Sequence, residues 1–479
     1  MKKIYLILLT TLFFGCNKDL VKPSDVPNKN KGAIFVLSLK LSNQIDTISV
    51  SNVYKPLITA EYSNGFTMDF TDSVTITTNA SNVFLKDKKY YGSKSGIAIF
   101  DITYKNFTIK DTIYVSEIEY LSIDEKLKST NDGVITIPVV IINYLPTIDG
   151  INLDMDRAPD GFYKYNYSTL DNVKNKILSE KFVDKYSIEE GSRFRDYAKN
   201  ETKKYVNINV IKYINIYELN LVPWKSDGYQ VRHNTIDFKS VFGKINLKEL
   251  VEVYGVKEVW FTSFPKDNYP SVMADKNSSD RSLWYDFPET NMASPTSGDV
   301  SNSERNNTDL PIYNKTYVVY GCNASRGVDT DLHVRGHQLE SQMSYLDKDN
   351  IWWDKFAKVG RAGNTHWCPN STAHYDYGNK NFVKSDITTW KPSGGTYVDV
   401  NVDTWLSSKK YNFNMTVKTL TGGTYDNNTS DQVKWLIFWW QSVPGFQNNI
   451  IDGNRKITNW WDLYYNWDDA VRSGKKLIE

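Results

Sequence analysis

The stretch Val134–Leu145, with the sequence VITIPVVIINYL, is almost entirely apolar over twelve residues. A strand with one face in water alternates apolar and polar residues, whereas a strand covered on both faces is apolar almost throughout. Fully covered strands are typical of parallel sheets that carry helices on both sides. The stretch therefore predicts a buried β-strand in an α/β layer.

Helix and strand patterns alternate after this stretch. The helical segments repeat their apolar residues with a period of about 3.6, and the strand segments are short β-branched or apolar runs. This alternation predicts one large α/β or α+β domain over residues 130–479. In chain order we predict a helix capped by Ser168-Thr169, a strand at 205–211, a helix at 247–254, and strands at 256–264 and 316–320. A helix at 332–346 and two late helices near 433–440 and 461–473 follow.

Residues 32–120 have a different pattern. Short β-branched and aromatic runs, such as Leu57–Tyr62 and Thr112–Val115, are separated by turn residues such as Asn64-Gly65. The segments ITAEYSNGFTMDF and SGIAIFDITYKNFTIKDTIYV resemble bacterial immunoglobulin-like (Big-type) domains. The resemblance implies an immunoglobulin-like β-sandwich that acts as a spacer or adhesive unit. We therefore expect a multidomain chain, with this sandwich followed by the α/β or α+β domain.

The N-terminus carries the pattern of a secretion signal. Two lysines precede the apolar run Ile4–Phe14, which is shorter than the ~20 residues of a membrane-spanning helix. The run ends in Gly15-Cys16, which resembles the lipobox of bacterial lipoproteins. This implies a signal peptide at 1–15, a lipidated Cys16 and a flexible tether through residue 31. The expected location is the cell envelope, with a lipid anchor in the outer membrane, and Asn17-Lys18-Asp19 resembles signals for surface exposure.

The charge and composition of the chain indicate which kinds of partner to expect and whether the chain is folded. The chain has 57 Lys+Arg against 56 Asp+Glu, a formal net charge of +1. A nearly neutral chain has no overall field that would draw it onto nucleic acid, so we expect no nucleic-acid partner. The 40% hydrophobic fraction is ordinary for a globular protein and excludes a wholly disordered chain.

The cysteines agree with an oxidising compartment. If Cys16 is lipidated, the even pair Cys322 and Cys368 remains. A disulfide requires a short Cα–Cα distance, which the sequence does not give. A disulfide and two free thiols therefore both stay open.

Four of the five histidines, at 333, 337, 366 and 374, lie within 42 residues. On a helix, His337 and Glu340 are spaced i, i+3, and His333 and His337 are spaced i, i+4, so either pair could bind one metal ion. We predict zinc or another divalent metal held by His337, Glu340 and His366, the last from a following loop. Val334 stands where a His-Glu-x-x-His motif would have its general base. The alternative is that these histidines are exposed or hydrogen-bonded without any metal.

Carboxylates form a second candidate set. Glu289 and Asn291 lie in the sequence PETNMASP, and Arg326 comes shortly before the histidine helix. Glu289 and Glu340 could share acid–base work, or retaining glycoside chemistry if about 5.5 Å apart. Asp376 completes the predicted catalytic set, while Asn291 and Arg326 are predicted to bind substrate. The alternative is that Glu289 caps a loop or pairs with an arginine.

Three segments carry a further resemblance. RGHQLESQM, GNTHWCPNSTAHYDYGN and ETNMASP are similar to parts of an uncharacterised group of secreted bacterial proteins with a Gly-His-x-x-Glu helix and a Gly-Asn-x-His-x-x-Pro-Asn loop. The similarity spans residues 250–465 and implies no activity. It does favour five residues as members of one site: His337, Glu340, His366, Asn370 and Asp376.

Tryptophan placement leads to the second functional hypothesis. Adjacent residues on a helix point about 100° apart, so neither Trp439-Trp440 nor Trp460-Trp461 can form one flat platform for a sugar. The apolar density of VKWLIFWWQSVPG is that of a buried helix, and most of these rings are predicted to be core. Trp367 and Trp390, in predicted loops, are better placed to stack on sugars. The leading hypothesis is a hydrolase of an extracellular glycan or peptide polymer. The alternative is a non-catalytic glycan-binding or adhesive surface lipoprotein.

Overall fold

The computed structural model describes residues 34–155, 169–194, 203–219, 221–223, 234–263, 287–291, 310–324, 328–347, 351–352, 399–402, 409–412, 443–449, 451–452 and 454–479, with single positions at 433, 437, 440 and 441. A β-rich part comes first, and a mixed α/β part follows. Within these ranges, no helix has both the length and the apolar character needed to cross a membrane.

The N-terminal part consists of short strands. In the longest hairpin, Ala98, Phe100 and Ile102 are buried while Ile97 and Ile99 are exposed, as in a sheet with one face on a core. A short 3₁₀ helix lies at Thr71–Ser73. The strands are β1 (Val36–Leu41), β2 (Thr47–Ser49), β3 (Val53–Tyr54), β4 (Ile58–Tyr62), β5 (Thr67–Asp69), β6 (Thr75–Thr78), β7 (Val83–Lys86), β8 (Lys89–Gly92), β9 (Gly96–Tyr104) and β10 (Phe107–Ser116).

These strands assemble into three sheets, with the orders β1-β4-β5, β2-β10-β9-β6 and β3-β8-β7. Strand β2 pairs parallel to β10, and the other pairs are antiparallel. Apolar residues from two of the sheets, such as Leu39, Ile58 and Ile102, meet in a shared core. The predicted β-rich N-terminal part is therefore confirmed, and its sheets are consistent with a β-sandwich.

The second part contains both helices and strands. The 3₁₀ helix Glu125–Leu127 lies between its first two strands. The elements are β11 (Ile118–Leu121), β12 (Ile135–Tyr144), α1 (Leu170–Gly191), β13 (Val206–Ile216), β14 (Leu221–Pro223), β15 (Asn234–Ile236), α2 (Phe238–Lys244), α3 (Leu247–Glu252), β16 (Glu258–Ser263), β17 (Phe287–Asn291), β18 (Tyr317–Asn323), α4 (Val328–Leu346), β19 (Asp399–Val402), β20 (Lys409–Asn412), β21 (Ile451–Asp452), β22 (Arg455–Lys456), α5 (Trp460–Tyr465) and α6 (Trp467–Arg472).

Six of these strands form one sheet in the order β11-β13-β12-β16-β18-β17. The four central strands are parallel, and β11 and β17 pair antiparallel at the two edges. Strand β12 lies inside the sheet, and the side chains of Val139, Val140, Ile141 and Ile142 are wholly buried. The prediction that Val134–Leu145 contains a buried strand of an α/β layer is confirmed.

Helices cover both faces of this sheet. Val139 and Ile141 share a core with residues of α1 and α4, whereas Val140 and Ile142 share a core with residues of α2 and α3. Helix α1 begins after Thr169, whose hydroxyl accepts a hydrogen bond from the Asn172 backbone N–H, so the predicted cap is confirmed. The strand order reverses beside β12. In sheets of this kind, ligands usually bind in a crevice at the carboxyl ends of the strands where the order reverses, here at the end of β12.

The β-rich part covers much of that carboxyl edge. Only Glu117 separates β10 from β11, so the chain passes directly from one sheet system to the other. Residues that follow three of the parallel strands are buried in one apolar cluster with Val50 and Val115 of the β-rich part; they are Leu145, Tyr217 and Ala324. The Ser51 and Tyr217 hydroxyls are also 2.9 Å apart. The usual crevice is therefore largely filled by the protein itself.

Gly150 lies in the contact between the two parts, and its substitution is our first prediction. Its φ is +82°, and a Cβ there would lie 2.3 Å from the Gly92 carbonyl oxygen. We expect Gly150→Ala to lower the free energy of unfolding by about 2–4 kcal/mol, because a left-handed φ and a backbone clash both oppose the methyl group. Gly65→Ala is the matched control, since its φ is +80° with no atom within 4 Å. Urea unfolding should give a loss of only about 1 kcal/mol for this control. Equal losses in the two variants would contradict the close contact.

Candidate functional site

Helix α4 carries the predicted His337–Glu340 pair, and most of its circumference is buried. It packs on the sheet beside α1 and contacts β17 and β18. The predicted apolar face is confirmed, because Leu332, Leu339, Met343 and Leu346 are all buried. Polar residues on the adjoining face are buried as well; they are Asp331, Arg335, Gln338 and Gln342.

The predicted site positions share a further stripe of this helix. At 100° per residue, positions 333, 337, 340 and 344 lie within about 60° of one another, beside the arc of buried residues, and Ser344 itself is half-buried with its hydroxyl covered. The helix that the spacing of His337 and Glu340 requires is present. Their side chains, and the whole of His366, lie outside the description. Among the described residues, no group of three or more His, Cys, Asp or Glu side chains could hold a metal ion.

Two residues in the first turns of α4 show toward which end of the sheet the helix runs. Asp331, in its first turn, lies near the carboxyl end of β18, whereas Arg335 binds Glu258 at the amino end of β16. Positions 337 and 340 lie further along the helix in the same direction. The candidate stripe therefore lies toward the amino ends of the parallel strands, away from the edge that the β-rich part covers.

Strand β17 carries Glu289 and Asn291 at the edge of the sheet. The register pairs Glu289 with Val319 and Asn291 with Tyr317, and these partners belong to the core under α2 and α3. The register therefore places both positions on that face, whereas α4 packs on the other. The side chains of Glu289 and Glu340 lie outside the described part of the structure, so a pair between them stays a prediction.

The other predicted site residues lie outside the described ranges. These are Cys16, Arg326, His366, Trp367, Asn370, Asp376 and Trp390. Cys368 lies outside as well, and Cys322 is a buried free thiol at the end of β18. Burial raises the pKa of the Cys322 thiol well above its usual value, so this thiol is kept protonated and unreactive.

A buried ion cluster, which the sequence did not reveal, fixes α4 to α1. The Lys181 ammonium lies 2.8 Å from the Asp184 carboxylate and 2.7 Å from the Asp331 carboxylate. All three side chains are almost completely buried. Although burial alone would lower it, the two carboxylates raise the pKa of Lys181 well above its ordinary value. The ammonium is therefore charged throughout the physiological range and bridges the two helices.

A second buried contact holds α4 to the sheet. The Arg335 Nη1 and the Trp260 Nε1 each lie 2.7 Å from the same Glu258 carboxylate oxygen. The guanidinium also lies over the rings of Trp260 and Tyr320, at 4.8 Å and 4.0 Å from their centroids. Such cation–π contacts are strongest when desolvated, as they are here. The inner side of α4 is thus held by ionic contacts at two successive turns.

The sequence contained a faint signal for these contacts. Lys181, Asp184 and Lys185 occur at the helical spacing of the buried residues of α1, where apolar side chains would be expected. Burial raises the pKa of the neighbouring Glu180 to about 7, against opposing contributions from Lys176 and Lys181. The partners Asp331, Arg335 and Glu258 are distant in sequence, so their pairing could not be inferred from spacing alone.

The described tryptophans belong to the core. Trp440, Trp460 and Trp461 are buried, and the Trp440 and Trp461 rings meet edge to face at 6.3 Å. This confirms the expectation that the Trp440 and Trp460-Trp461 rings pack inside the protein. None of these described rings forms an exposed platform for sugars.

No family model matches the sequence, and no curated protein matches it. Among solved structures, one similar chain holds domains 4–9 of the surface layer protein SbsC, at 11% identity and a TM-score of 0.15. The aligned part covers 20% of this chain and 18% of that chain, so this chain spans under a fifth of the SbsC fragment. A similarity of this size carries no argument about function. The proposals below therefore depend on the chain itself.

Proposed function

We propose that this chain is a cell-envelope hydrolase of an extracellular glycan or peptide polymer, with its site on the outer stripe of α4. The observation that carries the proposal is the arrangement of α4, which is fixed by buried ionic contacts on one side while the His337 and Glu340 positions share the other. Catalytic groups need support of this kind, because small displacements of a reacting group reduce rates strongly.

The covered carboxyl edge favours this location over the usual crevice. Leu145, Tyr217 and Ala324 are buried there against the β-rich part, which leaves little room for a polymer. The segment with His366, Asn370 and Asp376 follows α4 in the chain, and it is the proposed source of the remaining site residues. Trp367 and Trp390 of the same segment, with Asn291 and Arg326, are proposed to bind the substrate.

A divalent metal is part of the proposal. His337 and His366 would supply nitrogen ligands and Glu340 an oxygen ligand, a donor set that zinc accepts. Zinc would supply Lewis acidity and lower the pKa of a bound water. If the site works without metal, Glu340 or Glu289 would serve as general acid–base, and His337 would tune its pKa.

We also propose the finer identity of the remaining parts. The β-rich part would be an immunoglobulin-like Big-type module that serves as a spacer, and Cys16 would carry the lipid that anchors the chain to the outer membrane. The sequence resemblances described above support both assignments. The partners would then be the membrane through the lipid, and the polymer.

Substitutions on α4 test the proposal that the chain is a hydrolase. We expect His337→Ala and Glu340→Gln to lower polymer hydrolysis by about 10²–10⁴-fold, the usual contribution of a catalytic proton-transfer group. His337→Ala should also lose the bound metal, measured by elemental analysis, from about one zinc per chain. His333→Ala, one turn earlier on the same stripe, is the matched control and should keep both properties. Hydrolysis is measured on a panel of glycans and peptides.

Two results would contradict the proposal that the chain is a hydrolase. One is equal loss in the His333→Ala control, which would indicate disturbance of the helix rather than of a site. The other is a metal-free protein that binds sugar, keeps binding in His337→Ala and Glu340→Gln, and loses it in Trp390→Ala. That result would favour the alternative of a non-catalytic glycan-binding module.

A further inference from the structure

A polar cluster lies where the β-rich part meets the carboxyl edge of the six-stranded sheet. The hydroxyl oxygen of Ser51, in the turn between β2 and β3, lies 2.9 Å from the Lys174 ammonium and 2.9 Å from the Tyr217 hydroxyl. The Lys174 ammonium also pairs with the Glu119 carboxylate at 3.2 Å. We call these four residues the Ser51 cluster. Because they come from four separate segments of the two parts, the cluster forms only when the parts are docked.

The backbone at Ser51 is in the left-handed region, with a φ of +69°. A residue other than glycine is uncommon there, and such strained positions concentrate at functional sites. The Ser51 N–H donates to the Gly92 carbonyl at 3.0 Å, and the Asn52 N–H donates to the Ser49 carbonyl at 3.0 Å. A hydrogen-bonded turn therefore holds the Ser51 hydroxyl against Lys174, at a backbone angle that glycine would adopt more readily.

The hydrogen bonds of the Ser51 cluster have one consistent direction. The Glu119 carboxylate can only accept, so Tyr217 donates its single hydroxyl hydrogen to it, and the Asn215 amide donates to it at 2.9 Å. Burial and the Glu119 charge raise the pKa of Tyr217 well above its usual value, so the phenol stays protonated. Ser51 must then donate to the Tyr217 oxygen while its own oxygen accepts from Lys174. The Ser51 proton thus has a path through Tyr217 to Glu119.

We propose that Ser51 is a nucleophile that cleaves small carboxylic esters, a second activity separate from the site proposed on α4. The Ser51 oxygen attacks the ester carbonyl carbon while its proton moves to Tyr217 and the Tyr217 proton moves to Glu119. The Lys174 ammonium, 2.9 Å from the Ser51 oxygen, stabilises the negative oxygen of the tetrahedral intermediate. When the bond to the alcohol oxygen breaks, that oxygen takes the proton back along the same path, and the acyl group stays on Ser51. Water then attacks the acyl carbon by the same steps, which releases the carboxylic acid and restores the serine.

The exposure of the Ser51 cluster limits the size of the ester. Ser51 is half-buried and the Lys174 side chain is 20% exposed, so a reagent reaches the cluster from their side. Tyr217 and Glu119 are buried, which shields the proton path from water. The docked β-rich part leaves little space at this edge, and a small ester fits there better than a polymer.

Labelling of the purified full-length protein with diisopropyl fluorophosphate tests the nucleophile, because this small reagent transfers its phosphoryl group to an activated serine with loss of fluoride. We expect peptide mass spectrometry to find the adduct on Ser51, and the protein to hydrolyse p-nitrophenyl acetate. Ser51→Gly should remove the adduct and lower the hydrolysis by about 10²-fold or more. Glycine adopts this backbone angle without strain, so the variant should stay folded, as checked by urea unfolding. Lys174→Met and Tyr217→Phe should each slow labelling by about 10²-fold or more.

Ser95 provides a matched control at the same junction. It is half-buried like Ser51, and its hydroxyl donates to the Glu218 carboxylate at 3.0 Å instead of accepting from a lysine. Ser95→Gly should label and hydrolyse like the parent chain. The absence of an adduct on Ser51 in the parent, hydrolysis that is unchanged in Ser51→Gly, or an equal loss in Ser95→Gly would each overturn the proposal. In each of those cases the Ser51 cluster would only join the two parts.

Discussion

Replacing Arg335 with methionine should lower the free energy of unfolding by about 3–5 kcal/mol, the range for breaking a buried ion pair on one side. The Glu258 carboxylate would remain buried and would keep the Trp260 N–H as its described partner, at 2.7 Å. The variant would also lose the contacts of the guanidinium with the Trp260 and Tyr320 rings. Urea unfolding followed by tryptophan fluorescence measures the change.

A double variant shows whether the stability loss in Arg335→Met comes from the unpaired Glu258 carboxylate or from the lost packing of the guanidinium. Arg335→Met/Glu258→Gln removes the uncompensated carboxylate but keeps an oxygen that can accept from Trp260. We expect it to recover more than half of the loss, since neutral replacement of a buried pair costs far less than breaking it. A double variant as unstable as the single one would mean that the cation–π packing, rather than the charge, carries the contact.

Replacing Lys181 with methionine should have a similar effect, about 3–5 kcal/mol near neutral pH. It would leave the Asp184 and Asp331 carboxylates without the ammonium that lies 2.8 Å and 2.7 Å from them. Helix α4 would then lose the ionic contact that Lys181 makes with Asp331. The matched control is Lys110→Met, because the Lys110–Asp101 pair is exposed and 3.7 Å long. The control should change stability by less than about 1 kcal/mol.

The pH dependence of this loss has a definite sign. Burial already raises the pKa of the Asp184 carboxyl in the folded parent, against the opposing effect of Lys181. In the variant that opposing effect is gone, so the folded state takes up protons more readily than the unfolded state. Its stability therefore falls as the pH rises above the ordinary pKa of the carboxyl. Burial already raises the pKa of Asp184 to about 8 in the parent, which shares this fall up to pH 8, so the loss relative to the parent should grow above that pH. A loss independent of pH would contradict the buried-carboxylate explanation.

The neutral triple variant Lys181→Met/Asp184→Asn/Asp331→Asn completes this test. With no charge left in the cluster, it should be more stable than Lys181→Met at pH 8 and should lack the additional pH dependence. A triple variant as unstable as the single one would mean that packing of the lysine stem holds the helices together.

Local pattern predicted much of the fold. The run at Val134–Leu145 and the alternation in β9 follow from which faces of a strand meet water, and this depends only on neighbouring residues. The Thr169 cap is equally local, because the hydroxyl bonds a backbone group three residues away. For the candidate site, the helix carrying His337 and Glu340 was predictable for the same reason.

Contacts between distant segments were not predictable. Lys181 meets Asp331 across 150 positions, and which of the many carboxylates it would meet depends on how α1 and α4 pack. The face on which Glu289 stands depends on the register of β17 against β18, and a shift of one residue would reverse it. The spacing of residues along the sequence indicates neither how α1 packs on α4 nor the register of β17 against β18.

Neighbouring residues were therefore enough to predict the two kinds of architecture, the central buried strand and the helix with the His337–Glu340 spacing, because the periodicity of burial is a local property of the chain. The packing of the β-rich part on the carboxyl edge, through Val50, Val115 and Tyr217, and the buried charges that hold α4 became visible only in the folded structure. Docking of two surfaces and pairing of buried charges are set by the packing of whole elements, whose partners lie far apart along the chain.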